Sequence, residues 1–325
     1  SVTLIFVPNV GILLAARVLS GFTNSALVLC ASVIVADANR ANPRARDRGY
    51  SRLQTFNSVG AASGLAIGAA AAGLGVPALY FAVVTGYGLL ILALCPVLVR
   101  RLPPTRHIVE ADAPESFARR FRTLRKGVFD VARQPSTVWL LLASTGIGWV
   151  IQSGHYGLSL VLADVDPDLG PRILLSILIP VGVFIGSSLN QMSIVRMPAA
   201  VVLTRAYLFL PLACLAYALA IASGSILAEG AALVVLGVLT GMLMPLGPAV
   251  IVSWFPSVRG SATAAESVAK SIGSTVSPIL LGVTAAAWGL PVALGTVAVV
   301  AVLGAIASRG ILGFSGGSRP VPSAV

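Results

Sequence analysis

Charged residues are scarce in this sequence, and their scarcity excludes most soluble proteins. Only 10% of the 325 residues are charged, while 57% are hydrophobic and the mean hydropathy is +0.93. A soluble domain carries roughly a quarter charged residues, so this chain has too few to cover a surface in water. The formal net charge of +11 therefore raises the question of which side of a bilayer the positive residues occupy.

Cysteine and histidine are also rare, and the motifs of several enzyme classes do not occur. The three cysteines stand alone inside apolar runs, which predicts buried small side chains and neither a disulfide nor a metal site. The sequence has no HExxH and no GxxxxGK[ST] motif. We therefore expect neither an enzyme nor an ATP-driven pump, and no cofactor.

Long apolar runs dominate the sequence instead. A membrane helix needs about 20 mostly apolar residues, and runs of that kind predict an all-α polytopic membrane protein with nine transmembrane helices. Their predicted bounds are residues 10–36, 53–74, 77–99, 137–163, 173–194, 199–222, 226–254, 262–288 and 291–307.

One long basic loop divides these spans into two groups. Residues 1–99 hold three full spans, residues 100–135 form the central loop, and residues 136–325 hold six spans. Residues 117–131 read FARRFRTLRKGVFDV and place apolar residues at helical spacings. This pattern predicts a basic amphipathic helix that lies on the anionic inner leaflet and does not bind nucleic acid.

The positive residues alternate with the spans as a membrane topology requires. All of the 22 Lys and Arg residues except Arg17 and Arg172 fall on one side of the nine spans. Because positive residues flank membrane helices on the cytoplasmic side, we expect that side and the C-terminus to be cytoplasmic, in the plasma or inner membrane.

A repeated sequence stands at the cytoplasmic start of two predicted helices. The chain reads RDRGYSRLQTFNSVG around Arg48 and Gly49, and SVRGSATAAESVAKSIG around Arg259 and Gly260. Both Arg-Gly pairs belong to predicted cytoplasmic loops and precede a helix of small residues. Two parallel halves are typical of one large class of secondary transporters.

The first predicted helix reads LLAARVLSGFTNSAL, with Arg17 and Gly21, and this pattern resembles the major facilitator superfamily, specifically its drug/proton antiporter-like branches. Glycines at positions 60, 64, 68 and 73 match the next helix of that family. The resemblance implies a helical bundle in which the nine spans are the fourth to twelfth of twelve. Residues 1–7 would then be the tail of a preceding helix, and the chain would lack the first three.

Several polar residues within the spans are candidates for the substrate or proton pathway. Arg17 is expected to point into the bundle, where the resemblance implies a role in proton coupling, although it could snorkel to the outer surface. Asn24 either extends this polar stripe or bonds a neighbouring helix. Gln54 and Asn57 either line a cavity or cap the cytoplasmic end of their helix.

Four further candidates lie in the C-terminal half. Gln152 and His155 interrupt an apolar run beside two glycines, which favours a kink, and His155 either relays a proton or is structural. Glu266 and Lys270, four residues apart, can pair on one helix face. That pair either stabilises the start of its helix, contacts the other half or takes part in coupling.

The glycines of the second predicted helix are candidates for packing and gating. Gly60, Gly64 and Gly68 recur every four residues and would let a second backbone approach closely. That contact either serves packing alone or controls which side of the cavity opens. Pro245 and Pro248 predict a bent helix.

Together these features predict a secondary transporter that works by alternating access. We expect proton-coupled export of a drug-like or amphipathic small molecule, with a proton gradient as energy source and the lipid bilayer as surroundings. The chain is expected to act as a monomer. Metabolite or sugar uptake by the same fold, and a non-transporting membrane protein, are the alternatives.

Overall fold

The computed structural model describes residues 27–28, 30–39, 42–73, 82–83, 85–86, 88–90, 93–94, 117–163, 170–256 and 258–315. Every regular element in these ranges is helical. The elements are α1 (Pro43–Gly73), α2 (Phe117–Ala132), α3 (Pro135–Ala163), α4 (Gly170–Arg196), α5 (Ala199–Ser223), α6 (Ile226–Leu243), α7 (Leu246–Trp254), α8 (Arg259–Trp288) and α9 (Leu290–Ser315). Residues 30–38 are helical as well.

The described helices confirm an all-α membrane fold. Five segments are long and apolar enough to cross a membrane, namely Ile177–Arg196, Ala199–Ser223, Ile226–Trp254, Arg259–Trp288 and Leu290–Leu312. Helices α1 and α3 cover two more predicted spans. The predicted spans at residues 10–36 and 77–99 fall largely outside the described residues.

Large apolar side chains on these helices face outward. Leu212, Leu219 and Leu227 are 64%, 62% and 86% exposed. In water such exposure would promote aggregation, whereas lipid tails are a suitable solvent for these side chains. The exposure therefore agrees with a bundle surrounded by a bilayer.

Helix α1 begins earlier than its hydropathy predicts. The prediction placed residues 40–48 in a loop, but α1 begins at Pro43, and the Asn42 side chain accepts a hydrogen bond from the Ala45 amide at 3.0 Å. Asn at the cap and Pro in the first turn are a regular helix start. The error arose because the first turns of α1 are charged and carry no hydropathy signal.

The helix around Pro245, where the sequence predicts a bend, is divided in two. Helix α6 ends at Leu243, a turn follows, and α7 begins at Leu246. Helix α3, in which the sequence favours a kink, is one continuous helix through Gly154 and Gly157. A Cβ atom on Gly154 would lie 3.2 Å from Leu236, and one on Gly157 would lie 2.9 Å from Leu294, so these glycines make room for neighbouring side chains.

Two helix pairs touch backbone to backbone. In the α3 and α8 pair, Gly148 packs on the carbonyl of Lys270 and Gly273 packs on the carbonyl of Thr145. In the α4 and α6 pair, the glycines that do so are Gly182, Gly186, Gly237 and Gly241. Small residues at a helix interface allow this close approach in a membrane, where dispersion forces hold helices together.

The helices alternate in direction and bring the basic residues to one end of the bundle, which we call the basic end. The start of α1 meets the end of α4 through Ser51 and Asn190. The start of α5 meets the end of α9, where the Thr204 hydroxyl donates to the Ser308 carbonyl at 2.9 Å. The basic end carries Arg44, Arg48, Arg133, Arg196, Arg205, Arg259 and Arg309.

We expect Gly148→Ala to destabilise the protein by about 1–3 kcal/mol, because its methyl group would overlap the Lys270 carbonyl. Gly295→Ala is the matched control, since no described atom lies within 4 Å of a Cβ there. Thermal unfolding in detergent would measure both variants. Equal melting temperatures for Gly148→Ala and the parent would contradict the close contact between α3 and α8.

Candidate functional site

Polar side chains of α1 and α4 join the two predicted halves of the chain. The Asn190 amide donates to the Ser51 hydroxyl at 2.9 Å, and both side chains are fully buried. The hydroxyls of Thr55 and Ser187 lie 2.8 Å apart, and the Gln191 amide donates to Thr55 at 3.3 Å. We call these five residues the α1–α4 contact. It closes the basic end between the halves with hydrogen bonds.

An ion pair reinforces this closure. The Arg259 guanidinium, at the first residue of α8, donates to the Asp37 carboxylate at 3.0 Å and to the Ala36 carbonyl at 3.4 Å. Its two partners lie in the helical residues 30–38, more than 220 positions away in sequence. The Arg259 and Asp37 side chains are 13% and 49% exposed, so water screens the pair in part.

A second charged group lies beside this ion pair at the start of α1. The Arg46 guanidinium contacts the Asp47 carboxylate at 3.1 Å, and Tyr50 is 2% exposed one turn further on. Burial raises the pKa of Asp47, an effect that the charge and hydrogen bonds of Arg46 partly oppose. Burial likewise raises the pKa of the Tyr50 phenol to about 12.

Deeper in the bundle, Glu266 and Lys270 form the ion pair that their spacing predicts, with 3.0 Å between Nζ and Oε1. Glu266 is fully buried, whereas the Lys270 side chain is 21% exposed. The Ser144 hydroxyl of α3 donates to the same Oε1 at 3.1 Å, and a Cβ on Gly247 would lie 2.5 Å from it. Glu266 Oε2 has no hydrogen-bond partner among the described residues.

The sequence left several roles open for the Glu266 and Lys270 pair, and its contacts can be compared with them. Its partners come from α3 and α7, which belong to the same predicted half, so its described contacts do not reach the other half. It is also two to three turns inside α8 and does not cap it. A buried carboxylate with one unpartnered oxygen is a candidate for proton binding.

The other predicted residues of the C-terminal half lie on α3. Gln152 and His155 are half-buried, and His155 has an interaction partner. Between them, the Ser153 hydroxyl lies 2.6 Å from the Ser277 hydroxyl of α8. The sequence prediction omitted both serines, although they lie at the same interface of α3 with α8 as Glu266.

Arg17, Gly21 and Asn24 lie outside the described residues, so their roles stay predictions. Gln54 is half-buried and Asn57 is exposed. Because α1 begins at Pro43, both lie well inside the helix, and the interpretation of these residues as a helix cap is wrong.

Two of the four candidate packing glycines of α1, Gly60 and Gly64, show no close partner within the described part of the chain. No described atom lies within 4 Å of a Cβ built on Gly60 or Gly64. Gly68 and Gly73 are on α1, but their surroundings are not among the described features. Tight packing and gating by this stripe stay predictions.

The two Arg-Gly pairs of the repeat lie on helices, so their assignment to loops is wrong. Arg48 reaches the Arg44 carbonyl one turn back, at 3.4 Å, whereas Arg259 reaches the other half. Gly49 packs on Val35, with a Cβ at 2.7 Å, whereas Gly260 has nothing within 4 Å. Similar sequences therefore make different contacts.

Short polar side chains were the residues that sequence reasoning missed. Ser51 and Thr55, and also Ser187 and Gln191, are spaced four apart on one helix face, which is a signal of an interhelical polar contact. Their partners could not be paired from sequence. The missed residues are Asp37, Ser51, Thr55, Ser144, Ser153, Ser187, Asn190, Gln191 and Ser277.

Comparison with known proteins gives one family match. The family model described as Major Facilitator Superfamily matches residues 1–228. No curated protein matches the chain.

Solved transporters share the fold at low sequence identity. The human organic anion transporter MFSD10 is 19% identical, with 94% of this chain and 72% of that one covered and a TM-score of 0.62. The transporter FucP in its outward conformation is 17% identical, with 86% and 71% covered and a TM-score of 0.59. A variant of the E. coli fucose:proton symporter FucP is 20% identical, with 72% and 56% covered and a TM-score of 0.53, so this chain spans little more than half of it.

The raised pKa of Asp47 predicts that the stability of the protein depends on pH. Its carboxyl favours the folded state while protonated, so this contribution is complete below the usual pKa of 3.8 and is lost as the pH rises through the raised value. Asp47→Asn should therefore flatten the fall of melting temperature from about pH 4 upward. Asp130→Asn, at an exposed position of α2, is the control. Identical pH profiles for Asp47→Asn and the parent would rule out this contribution.

Proposed function

The chain belongs to the Major Facilitator Superfamily, and from this premise we propose that it moves a small molecule across the bilayer by alternating access, in exchange for protons. The superfamily and the fold make it a multi-pass membrane transporter and not a typical enzyme. The mechanism, the coupling ion and the direction are the proposal.

The closure at the basic end is the observation that carries alternating access. The α1–α4 contact and the pair of Arg259 with Asp37 hold the two halves together with polar groups. Water can replace each of these partners when the halves separate, so opening exposes no unsatisfied polar group. A contact with these properties suits a gate that opens and closes in every cycle.

The Glu266 and Lys270 pair supports coupling to protons. A carboxylate with no exposed surface can exchange its ionic partner for a proton, and the pair has a partly exposed member through which water can reach it. Arg17 is the second candidate, through the resemblance of its helix to the antiporter-like pattern.

Export of amphipathic compounds is the direction that the sequence pattern around Arg17 favours. Uptake is the second candidate, because one solved transporter of this fold is a fucose:proton symporter. Another is an organic anion transporter, so an anionic substrate belongs in any test.

Removing the ion pair should open the basic end more often. In a background without native cysteines, Ile194→Cys provides a buried reporter on the same α4 face as Ser187 and Asn190. We expect Arg259→Ala to speed its labelling by a maleimide several-fold, since an exposed pair contributes up to about 1 kcal/mol. The double variant Asp37→Arg/Arg259→Asp should restore slow labelling. Unchanged labelling in Arg259→Ala would contradict the gate.

The transport assay uses the full-length protein that carries this sequence, in proteoliposomes with an acidic interior. We expect a lipophilic cation or benzoate to accumulate while protons leave, which is antiport. A symporter would instead accumulate L-fucose only when the acidic side is outside, and benzoate accumulation is read against protein-free liposomes because benzoic acid itself crosses the bilayer toward the alkaline side. Absence of transport for all three compounds in both gradients would favour the non-transporting alternative.

The same assay tests the coupling residues. Breaking a buried pair costs about 3–5 kcal/mol, so the charge-free double variant Glu266→Gln/Lys270→Met is preferable to either single variant. We expect it to retain substrate counterflow and to lose accumulation driven by the proton gradient, as should Arg17→Ala. Ser271→Ala, at an exposed position of α8, is the control. Accumulation by the double variant at the parent level would exclude a coupling role for the pair.

A further inference from the structure

The described apolar residues of helix α2 lie on the protein. Val131 is 3% exposed and belongs to the hydrophobic core, and Val128 packs against that core. A Cβ on Gly127 would lie 2.5 Å from the Ser261 hydroxyl, so α2 also lies directly on the first turn of α8. The part of the apolar face formed by Val128 and Val131 is therefore unavailable for insertion into lipid, which is how an isolated amphipathic helix would bind a membrane.

The opposite face of α2 is basic and uncovered in the structure. Each of positions 122, 125, 126, 129 and 133 is three or four residues from at least one other of the five, so they share one helical face. All five are exposed, and they are Arg122, Arg125, Lys126, Phe129 and Arg133. We call them the basic face. An exposed aromatic ring among cations is typical of a helix at a lipid headgroup layer.

One contact and one chain connection fix the depth of α2 relative to the bilayer. Ser261, against which Gly127 packs, comes one residue before the predicted membrane span of α8. Helix α3 begins at Pro135, shortly after α2 ends at Ala132, and the predicted span of α3 begins at Thr137. The segment from Gly127 to Pro135 is thus held at both ends at the level where the membrane spans leave the hydrocarbon. That level is the headgroup layer.

From this placement we propose that the basic face binds the headgroups of anionic phospholipids, and that this binding holds α8 in the closed position at the basic end. The partner is a membrane surface because headgroups are what surrounds α2 at that depth, and their negative charge complements four cations. The link to the gate is short, since Ser261 is two residues from Arg259.

The test of lipid binding uses the full chain without native cysteines in nanodiscs. One set contains phosphatidylcholine alone, and the other contains phosphatidylcholine mixed with phosphatidylglycerol. A Phe129→Cys reporter should react with a water-soluble maleimide several-fold more slowly in the anionic discs. Arg122→Gln/Arg125→Gln/Lys126→Gln should remove this difference, whereas the control Arg309→Gln, exposed on α9, should keep it.

The test of the link to the gate uses the Ile194→Cys reporter in the same discs. Phosphatidylglycerol should slow its labelling in the parent and not in the triple glutamine variant. Gly127→Val, which separates α2 from Ser261, should keep the protection at position 129 and lose the effect at position 194. The first reporter does not depend on the proposed transport function, whereas the second depends on its gate, so the two can fail separately.

Three results would overturn the proposal. Equal labelling at position 129 in neutral and anionic discs would exclude headgroup binding. A lipid effect that survives the triple glutamine variant would place it elsewhere on the protein. Protection by inorganic phosphate in discs of phosphatidylcholine alone would make the basic face a site for soluble anions.

Discussion

The close contact of α3 with α8 is the constraint on which the interior of the C-terminal half depends. Gly148 and Gly273 bring the two backbones together, so side chains that face this seam must bond across it or remain unsatisfied. The Ser274 hydroxyl donates to the Gly148 carbonyl at 3.1 Å, and the Ser277 hydroxyl donates to the Trp149 carbonyl at 3.1 Å. Polar residues can therefore line a helix in hydrocarbon without meeting lipid.

The same seam explains why a carboxylate is tolerated at Glu266. The chain supplies it with the Lys270 ammonium and the Ser144 hydroxyl, and the absence of a side chain at Gly247 leaves room for its oxygen. A buried ion pair is weak evidence for stability, because desolvation of both charges offsets their attraction. Its presence at this depth fits the proposed exchange of the ionic partner for a proton.

Contacts between the halves differ in kind from contacts within the C-terminal half. Within that half, glycines in two helix pairs lock backbones together, and repacking such a seam requires movement of whole helices. Between the halves, α1 and α4 meet through hydroxyl and amide groups. The C-terminal half can therefore move as a rigid body, while the interface of α1 with α4 can separate. Alternating access, as proposed, needs both properties.

Hydropathy predicts the spans well because a helix that crosses the lipid must carry mostly apolar side chains. The predicted start at Ala199, the predicted segment from Ile226 to Trp254 and the predicted end at Trp288 agree with the structure, and the fold class is confirmed. Hydropathy is silent where helices leave the lipid, so the start of α1 was misplaced and α9 continues beyond its predicted end. The antiporter subtype and the upstream helices stay predictions.

Pairing across the structure was the part that sequence could not provide. Glu266 and Lys270 were predictable because one helical turn joins them, whereas Arg259 could have met any acid that the fold brings to the basic end. The choice of Asp37 depends on how the halves dock. For the same reason, the sequence predicts close backbone packing at the glycine stripe of α1. The glycines that touch a neighbouring backbone lie instead on α3, α4, α6 and α8.

The strength of the closure is suited to a gate. An exposed ion pair contributes up to about 1 kcal/mol, and each hydrogen bond between the halves has a net value of about 0.5–1.5 kcal/mol. Three such bonds and the pair of Arg259 with Asp37 therefore hold the basic end with about 2–5 kcal/mol. Inverting a two-state equilibrium from 1:99 to 99:1 takes about 5.5 kcal/mol of differential binding. A closure of this size is strong enough to stay shut at rest, and in the proposed mechanism substrate and proton binding would reverse it. A gate sealed by backbone contacts like those of Gly148 could not open within a cycle.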